Sequence, residues 1–155
     1  NGTPSAIALS RQKVPYINPK NTKENKCKKG AYIVNITSHE SKVTLVASGT
    51  EVELALKIQE ILKQNNIHSK VVSMPCIELF DKQPENFRKD IIDEDSLIVT
   101  LEAGSIDSWK KFVKNKGINI GIDKFGKSAP YKDVYNHFGL SEEKIANLIQ
   151  KKLRE

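Results

Sequence analysis

Four short polar segments hold the residues best suited to chemistry: Ser10-Arg11-Gln12, Ser48-Gly49-Thr50, Met74-Pro75-Cys76 and Glu102-Ala103-Gly104-Ser105. Each follows an apolar run that reads as a strand, and in open α/β sheets ligands bind beyond the carboxyl ends of strands. Ser48-Gly49-Thr50 opens a helix, where free amides and the helix dipole favour an anion. It lacks the GxGxxG spacing and the Walker lysine. Thr50 with Glu53 reads instead as a capping box, and Glu53 would repel a phosphate. Glu102 and Asp107 flank Ser105 as an acid/base pair would, but no histidine or metal ligand lies nearby in sequence. Asp107 suits the first turn of a following helix, so the pair reads as structural. His39, His68 and His137 are scattered, without HExxH spacing or pairing to cysteine. No residue set is expected to be catalytic by itself.

The elements that must hold these segments alternate in type. Ala6-Ile7-Ala8-Leu9 is a strand candidate, followed over residues 13–30 by a Lys- and Asn-rich linker with Pro15, Pro19 and a closing Gly30. Residues 31–34 and 43–47 are two more strands, separated by a polar turn at 37–42. A helix is expected over 51–64, with Leu54, Ala55, Ile58, Ile61 and Leu62 on one face, a Glu53–Lys57 pair, and a stop at Asn65-Asn66. A strand at 70–74 and short helices at 77–81 and 84–92 come next. Residues 96–101 are apolar almost throughout, as in an interior parallel strand. A helix carrying Ile106, Trp109, Phe112 and Val113 should follow, with these aromatics packing in the core, then a strand at 118–122 interrupted by Gly121. Helices at 131–138 and 142–153 close the chain, the second N-capped by Ser141, with Glu142 and Glu143 in its first turn. The alternation predicts an α/β fold: a three-layer sandwich around a mostly parallel, mixed sheet of about five strands.

Charge is unevenly placed. The 155 residues carry 25 Lys+Arg against 19 Asp+Glu, for a net +6. Residues 1–30 hold seven cations and one acid, so the body behind them is neutral. With one aromatic, Tyr16, among those cations, the basic stretch reads as a solvated linker and nucleic acid is not an expected partner. No run approaches the ~20 apolar residues of a membrane span. Cys27 and Cys76 form neither a disulfide framework nor a metal spacing and read as reduced thiols, which suggests a cytoplasmic setting. The chain opens Asn1-Gly2-Thr3-Pro4 with no Met and no targeting segment, and is expected to be a piece of something longer.

The segments, taken in order, resemble the C-terminal part of transketolase. The resemblance is carried by residues 5–12 (SAIALSRQ), a Lys-rich linker closing in Gly30-Ala31-Tyr32-Ile33-Val34, and residues 47–55 (ASGTEVELA). Val71-Val72-Ser73-Met74-Pro75, Leu79-Phe80-Asp81, Glu102-Ala103-Gly104 with Trp109, and Phe125-Gly126-Lys127-Ser128-Ala129-Pro130 continue it over essentially the whole chain. The Ser-Arg-Gln and Phe-Gly-Lys-Ser-Ala-Pro segments favour transketolase over the related pyruvate dehydrogenase-type and deoxyxylulose phosphate synthase-type enzymes. The resemblance implies a homodimeric enzyme of the pentose phosphate pathway, dependent on thiamine diphosphate and Mg²⁺ or another divalent cation. It transfers a two-carbon ketol unit from a ketose phosphate to an aldose phosphate.

By the same resemblance, residues 1–12 end a middle, pyrimidine-binding domain, 13–30 are a basic interdomain linker, and 31–155 are the C-terminal domain, which helps to build the dimer. Cofactor and metal would sit in parts of the enzyme outside this chain, with none bound here. Arg11 would bind the substrate's phosphate, a role suited to a planar guanidinium fork. A different expectation is an independent regulatory or interaction module with a small anion near Ser48-Gly49-Thr50.

Overall fold

The computed structural model describes residues 2, 4, 10, 13–17, 24–113 and 117–155. The strand expected at residues 6–9 and Arg11 lie outside the described residues. The elements are β1 (Tyr32–Ile36), β2 (Val43–Ala47), α1 (Glu51–Gln64), β3 (Ser69–Ser73), α2 (Ile77–Asp81), α3 (Glu85–Ile91), β4 (Leu97–Leu101), β5 (Ile118–Ile120), α4 (Tyr131–His137) and α5 (Glu142–Lys152). Two 3₁₀ turns, Lys26–Lys29 and Lys110–Phe112, complete them.

The five strands form one mixed sheet in the order β1-β3-β2-β4-β5. β1 runs antiparallel to β3 with an irregularity between Ile33 and Asn35, and every other pairing is parallel. Consecutive β1 and β2 are therefore not neighbours, because β3 lies between them. All five residues of β2 and all five of β3 are buried, as in interior strands covered on both faces, with Ser69, Lys70 and Ser73 as buried polar residues of β3.

Side-chain alternation divides the core between the two faces. Val43, Leu45 and Ala47 pack with Leu54, Ala55, Ile58 and Leu62 of α1 and with Ile145 and Ile149 of α5. On the opposite face Val46, Val72 and Ile98 pack with Met74, Phe80, Ile91 and Trp109. This is the three-layer arrangement that alternating strands and amphipathic helices predict. Gln59, fully buried on α1, donates to the Ser69 carbonyl at 2.9 Å and accepts from the Asn35 amide at 2.8 Å, tying α1 to two strands. The stop at Asn65-Asn66 is present, with Asn66 in the left-handed region at φ 58°.

Three local expectations give way. The helix expected after Ser105 is a set of turns ending in the 3₁₀ turn at Lys110–Phe112. Ile106, Trp109 and Phe112 are spaced by three, the repeat of a 3₁₀ turn, and amides 109 and 112 bond three residues back. Trp109 and Phe112 nonetheless pack in the core, Phe112 at 5.9 Å from Phe80 between ring centres. Thr50 makes no capping bond and is itself helical at φ −68°, ψ −26°, so the capping box does not form. Glu53 bonds Lys57 at 2.9 Å instead. Ser141 has extended cap geometry but makes no side-chain cap bond.

Gly30 shows how the first turn is fixed. Its φ is +84°, and a Cβ there would lie 2.3 Å from the Phe80 amide nitrogen and 2.4 Å from the Cys76 carbonyl oxygen. Only glycine fits between the Lys26–Lys29 turn and α2.

Candidate functional site at the strand-order reversal

From β2 the chain crosses through α1 to β3 on one side, then through α2 and α3 to β4 on the other. The order of strands thus reverses between the carboxyl ends of β2 and β4, where Ala47 stands beside Leu101. In α/β sheets this crevice is the usual ligand site. The segments Ser48-Gly49-Thr50 and Glu102-Ala103-Gly104-Ser105 leave the sheet on its two sides, as the sequence order requires.

The chain's own side chains bond to one another around this position. Glu51, the first residue of α1, is only 5% exposed. Its Oε1 accepts the Tyr135 hydroxyl of α4 at 2.5 Å and the Thr50 hydroxyl at 2.6 Å. The two hydroxyl oxygens are 3.5 Å apart. Across the crevice Glu102 Oε2 accepts the Trp109 indole N–H at 3.1 Å, and Trp109 is 4% exposed. Gly121 lets the next segment approach: a Cβ there would stand 2.2 Å from Ile106 Cγ2 and 2.8 Å from the Gly104 carbonyl. The Ile122 amide donates to that same carbonyl at 2.7 Å.

The electrostatics follow from burial. Desolvation raises the Glu102 carboxyl above the ordinary glutamate range, and the charge of Glu51 raises it further; the Trp109 N–H and the Ala103 amide pull it down. The Tyr135 hydroxyl is pushed up to about 12, first by desolvation and then by its bond to Glu51.

Glu102 and Asp107 turn to different partners. Asp107 is exposed, bonds Lys110 at 2.7 Å and accepts from Ser105 at 3.1 Å; these bonds hold its carboxyl below the ordinary range. The reading of this pair as structural thus has geometric support. His39, His68 and His137 are all exposed, and Cys27 and Cys76 are unpaired thiols. Glu51 and Tyr135 were not singled out as site residues. They lie 84 positions apart, and nothing in their spacing points to contact. The one local signal was an acid directly after a Ser-Gly-Thr turn.

Beside this network lies a cleft of about 310 Å³ between α1, α4 and the start of α5. Its charges balance, with Glu53, Glu142 and Glu143 facing Lys13, Lys57 and Lys132. With Glu51 and Glu53 in the first turn of α1, the residues around Ser48-Gly49-Thr50 weigh against a phosphate there. Among the described residues no group of three or more His, Cys, Asp or Glu could hold a metal ion. By donor chemistry, then, the described residues do not fit a diphosphate cofactor with its divalent cation.

Residues 30–141 match the family model for the transketolase-like C-terminal domain. The chain is 38% identical over 151 residues to the transketolase of Aquifex aeolicus, covering 96% of this chain and 22% of the relative. It is 41% identical over 146 residues to the chloroplastic transketolase of Solanum tuberosum, covering 92% and 19%. The solved transketolase of Campylobacter jejuni superimposes with a TM-score of 0.74 at 36% identity, covering 82% of this chain and 19% of that one. The chain thus spans about a fifth of the length of the curated relatives it matches. Ordered motifs, the mixed five-stranded sheet and these matches agree, and the chain belongs to the transketolase family, of which it carries the C-terminal domain.

Proposed function

We propose that this chain acts as the C-terminal region of a full-length transketolase, an enzyme that moves a two-carbon ketol unit from a ketose phosphate to an aldose phosphate. The observation that carries this reading is the match of residues 30–141 to the transketolase-like C-terminal domain in a chain that covers 22% of its Aquifex aeolicus relative. At the strand-order reversal Glu51 bonds Tyr135 and Glu102 bonds Trp109, which supports a domain that contributes to a site built elsewhere. Thiamine diphosphate and its divalent cation, Mg²⁺ among the candidates, belong to parts of the enzyme outside this chain. When bound they supply the carbanion chemistry, and no step of it is assigned to a residue here.

Three finer assignments go with this reading. Residues 1–12 end the preceding domain, 13–30 link, and 31–155 form the C-terminal domain. Arg11 of the Ser-Arg-Gln triplet binds the substrate phosphate as a bidentate donor, which suits sugar phosphates. Solved transketolases of Pichia stipitis carry xylulose 5-phosphate and sedoheptulose 7-phosphate, which supports that substrate class. The third assignment is assembly with a second subunit, for which the fully exposed Phe125 and the exposed residues 126–131 offer a surface. No helix of the described residues is long and apolar enough to cross a membrane. The two unpaired cysteines suit a cytoplasmic enzyme.

Isothermal titration of thiamine diphosphate with Mg²⁺ is the test, run on this 155-residue chain and on the full-length protein. Binding is expected only in the full-length protein, together with ketol transfer. Cofactor binding by the 155-residue chain alone would overturn the reading.

A further inference from the structure

Helix α3 lies on the face of the sheet opposite α1 and α5, and a cavity of about 270 Å³ opens beside it. Its walls are apolar: Phe80 of α2, Ile92 after α3, Ile98 of β4 and Phe112, whose ring centre is 5.9 Å from that of Phe80. Arg88, in the last turn of α3, lines the same cavity. Its Nε is shut away from solvent and has no hydrogen-bond partner. Among the described residues no carboxylate is bonded to the Arg88 guanidinium. We propose that this cavity is a socket for a single carboxylate carried by a part of the full-length protein outside these 155 residues, with Arg88 as its counter-charge. The socket rests on the reading of the chain as one region of a larger enzyme, of whose relatives it spans about a fifth.

The other charges around the cavity are already engaged. Lys89 bonds Glu85 at 2.6 Å within α3, and Lys111 of the 3₁₀ turn bonds Asp81 at the end of α2. Glu94 has an interaction of its own. A cation in the last turn of α3 is favourable against the helix dipole, but Lys89 meets that need from the same turn without a buried nitrogen. A buried donor without an acceptor costs the fold its desolvation, and a guanidinium cannot shed its charge to escape it. That cost is recovered when a planar carboxylate arrives and takes two parallel N–H bonds.

The surroundings select the occupant. Asp81, Glu85 and Glu94 stand around the same opening and would repel a phosphate dianion more than a single carboxylate. An apolar floor rimmed by ion pairs, with an arginine at its centre, is the layout of a protein contact. About four-fifths of the length of the relatives lies outside this chain and can supply the aspartate or glutamate.

Phenylglyoxal, which modifies guanidinium groups, reads the socket in the unaltered protein. The chain has three arginines, Arg11, Arg88 and Arg154, which peptide mass mapping separates. Arg88 is expected to react about tenfold more slowly, or slower still, in the full-length protein than in the 155-residue chain. Equal rates would overturn the socket. Arg88→Lys places an amine there, and a carbodiimide joins an amine to a touching carboxylate as an amide, the reagent taking up the water released. In the full-length variant, residue 88 is expected to be linked to an aspartate or glutamate outside the 155 residues. A link only to an acid within them, in the same copy or in a second one, would overturn the proposal, as would no link at all. If Arg88→Lys does not fold, the phenylglyoxal rates decide. In the 155-residue chain Arg88→Met removes a donor without a partner and should leave the melting temperature level or raised; a fall would place Arg88 in the service of its own domain and overturn the socket. A full-length protein that binds cofactor and transfers ketol units, yet leaves Arg88 equally reactive in both forms, sinks the socket alone. Cofactor binding by the 155-residue chain sinks the larger reading.

Discussion

Helices α1 and α5 begin with nearly the same letters and end up in different chemistry. Thr50-Glu51-Val52-Glu53 and Ser141-Glu142-Glu143 both read as a hydroxyl cap followed by acids in a positive first turn. Neither hydroxyl caps its helix. Thr50 donates to Glu51 and Ser141 donates to Glu143 at 3.0 Å, so each hydroxyl serves a carboxylate rather than an amide. The difference lies in the surroundings. Glu51 is buried at the reversal of strand order and receives a second donor from α4, whereas Glu143 is exposed. One signature thus marks a buried hydroxyl bonded to an exposed acid in α5 and the centre of a buried network in α1.

Substitutions at matched positions should separate the two sites. Glu51→Ala removes the acceptor of two hydroxyls, one from a half-buried tyrosine, and should cost roughly 3 kcal/mol by denaturant unfolding. The matching Glu143→Ala should stay within about 0.5 kcal/mol. Comparable costs for the two would erase the distinction. Tyr135→Phe should lose about 1.5 kcal/mol, since it deletes one charge-assisted bond and leaves Thr50 in place.

The same tyrosine predicts a pH effect. An unfolded tyrosine ionises near its ordinary 10.0, but Tyr135 in the fold holds its proton to about 12. Unfolding in that window releases a proton, so stability should fall as pH rises from 10 to 12. Chemical denaturation across that range should show the fall in wild type and a shallower one in Tyr135→Phe. Smallest of all, Ser141→Ala should cost under about 0.5 kcal/mol, below the ~1 kcal/mol typical of a true N-cap.

Much of the architecture was legible because burial leaves a pattern. β2 and β4 are apolar on both faces, α1 is apolar on one, and Asn65-Asn66 supplies a left-handed stop; each follows from local steric and solvation rules. The segment after Ser105 was harder. Its apolar residues recur at an interval that suits either a helical face or a 3₁₀ turn, and the pull of Trp109 toward Glu102 is a tertiary effect. The crevice itself was half legible. The rule that ligands gather beyond strand ends marked four loops, those after β2 and β4 among them, but the strand order that sets these two apart comes from the fold; a cap pattern hid Glu51, and Tyr135 reaches it only through the fold. The role proposed for Arg11 rests on family resemblance alone, and Arg11 lies outside the described residues.

The account stands most directly on what Arg11 does in the assembled enzyme. Steady-state kinetics of full-length Arg11→Ala, with phosphorylated and unphosphorylated ketol donors side by side, should show KM raised roughly tenfold or more for the phosphorylated donor, the loss of about one charge-assisted contact. The unphosphorylated donor should be spared. Equal effects on both donors would contradict the account and remove Arg11 from the phosphate site.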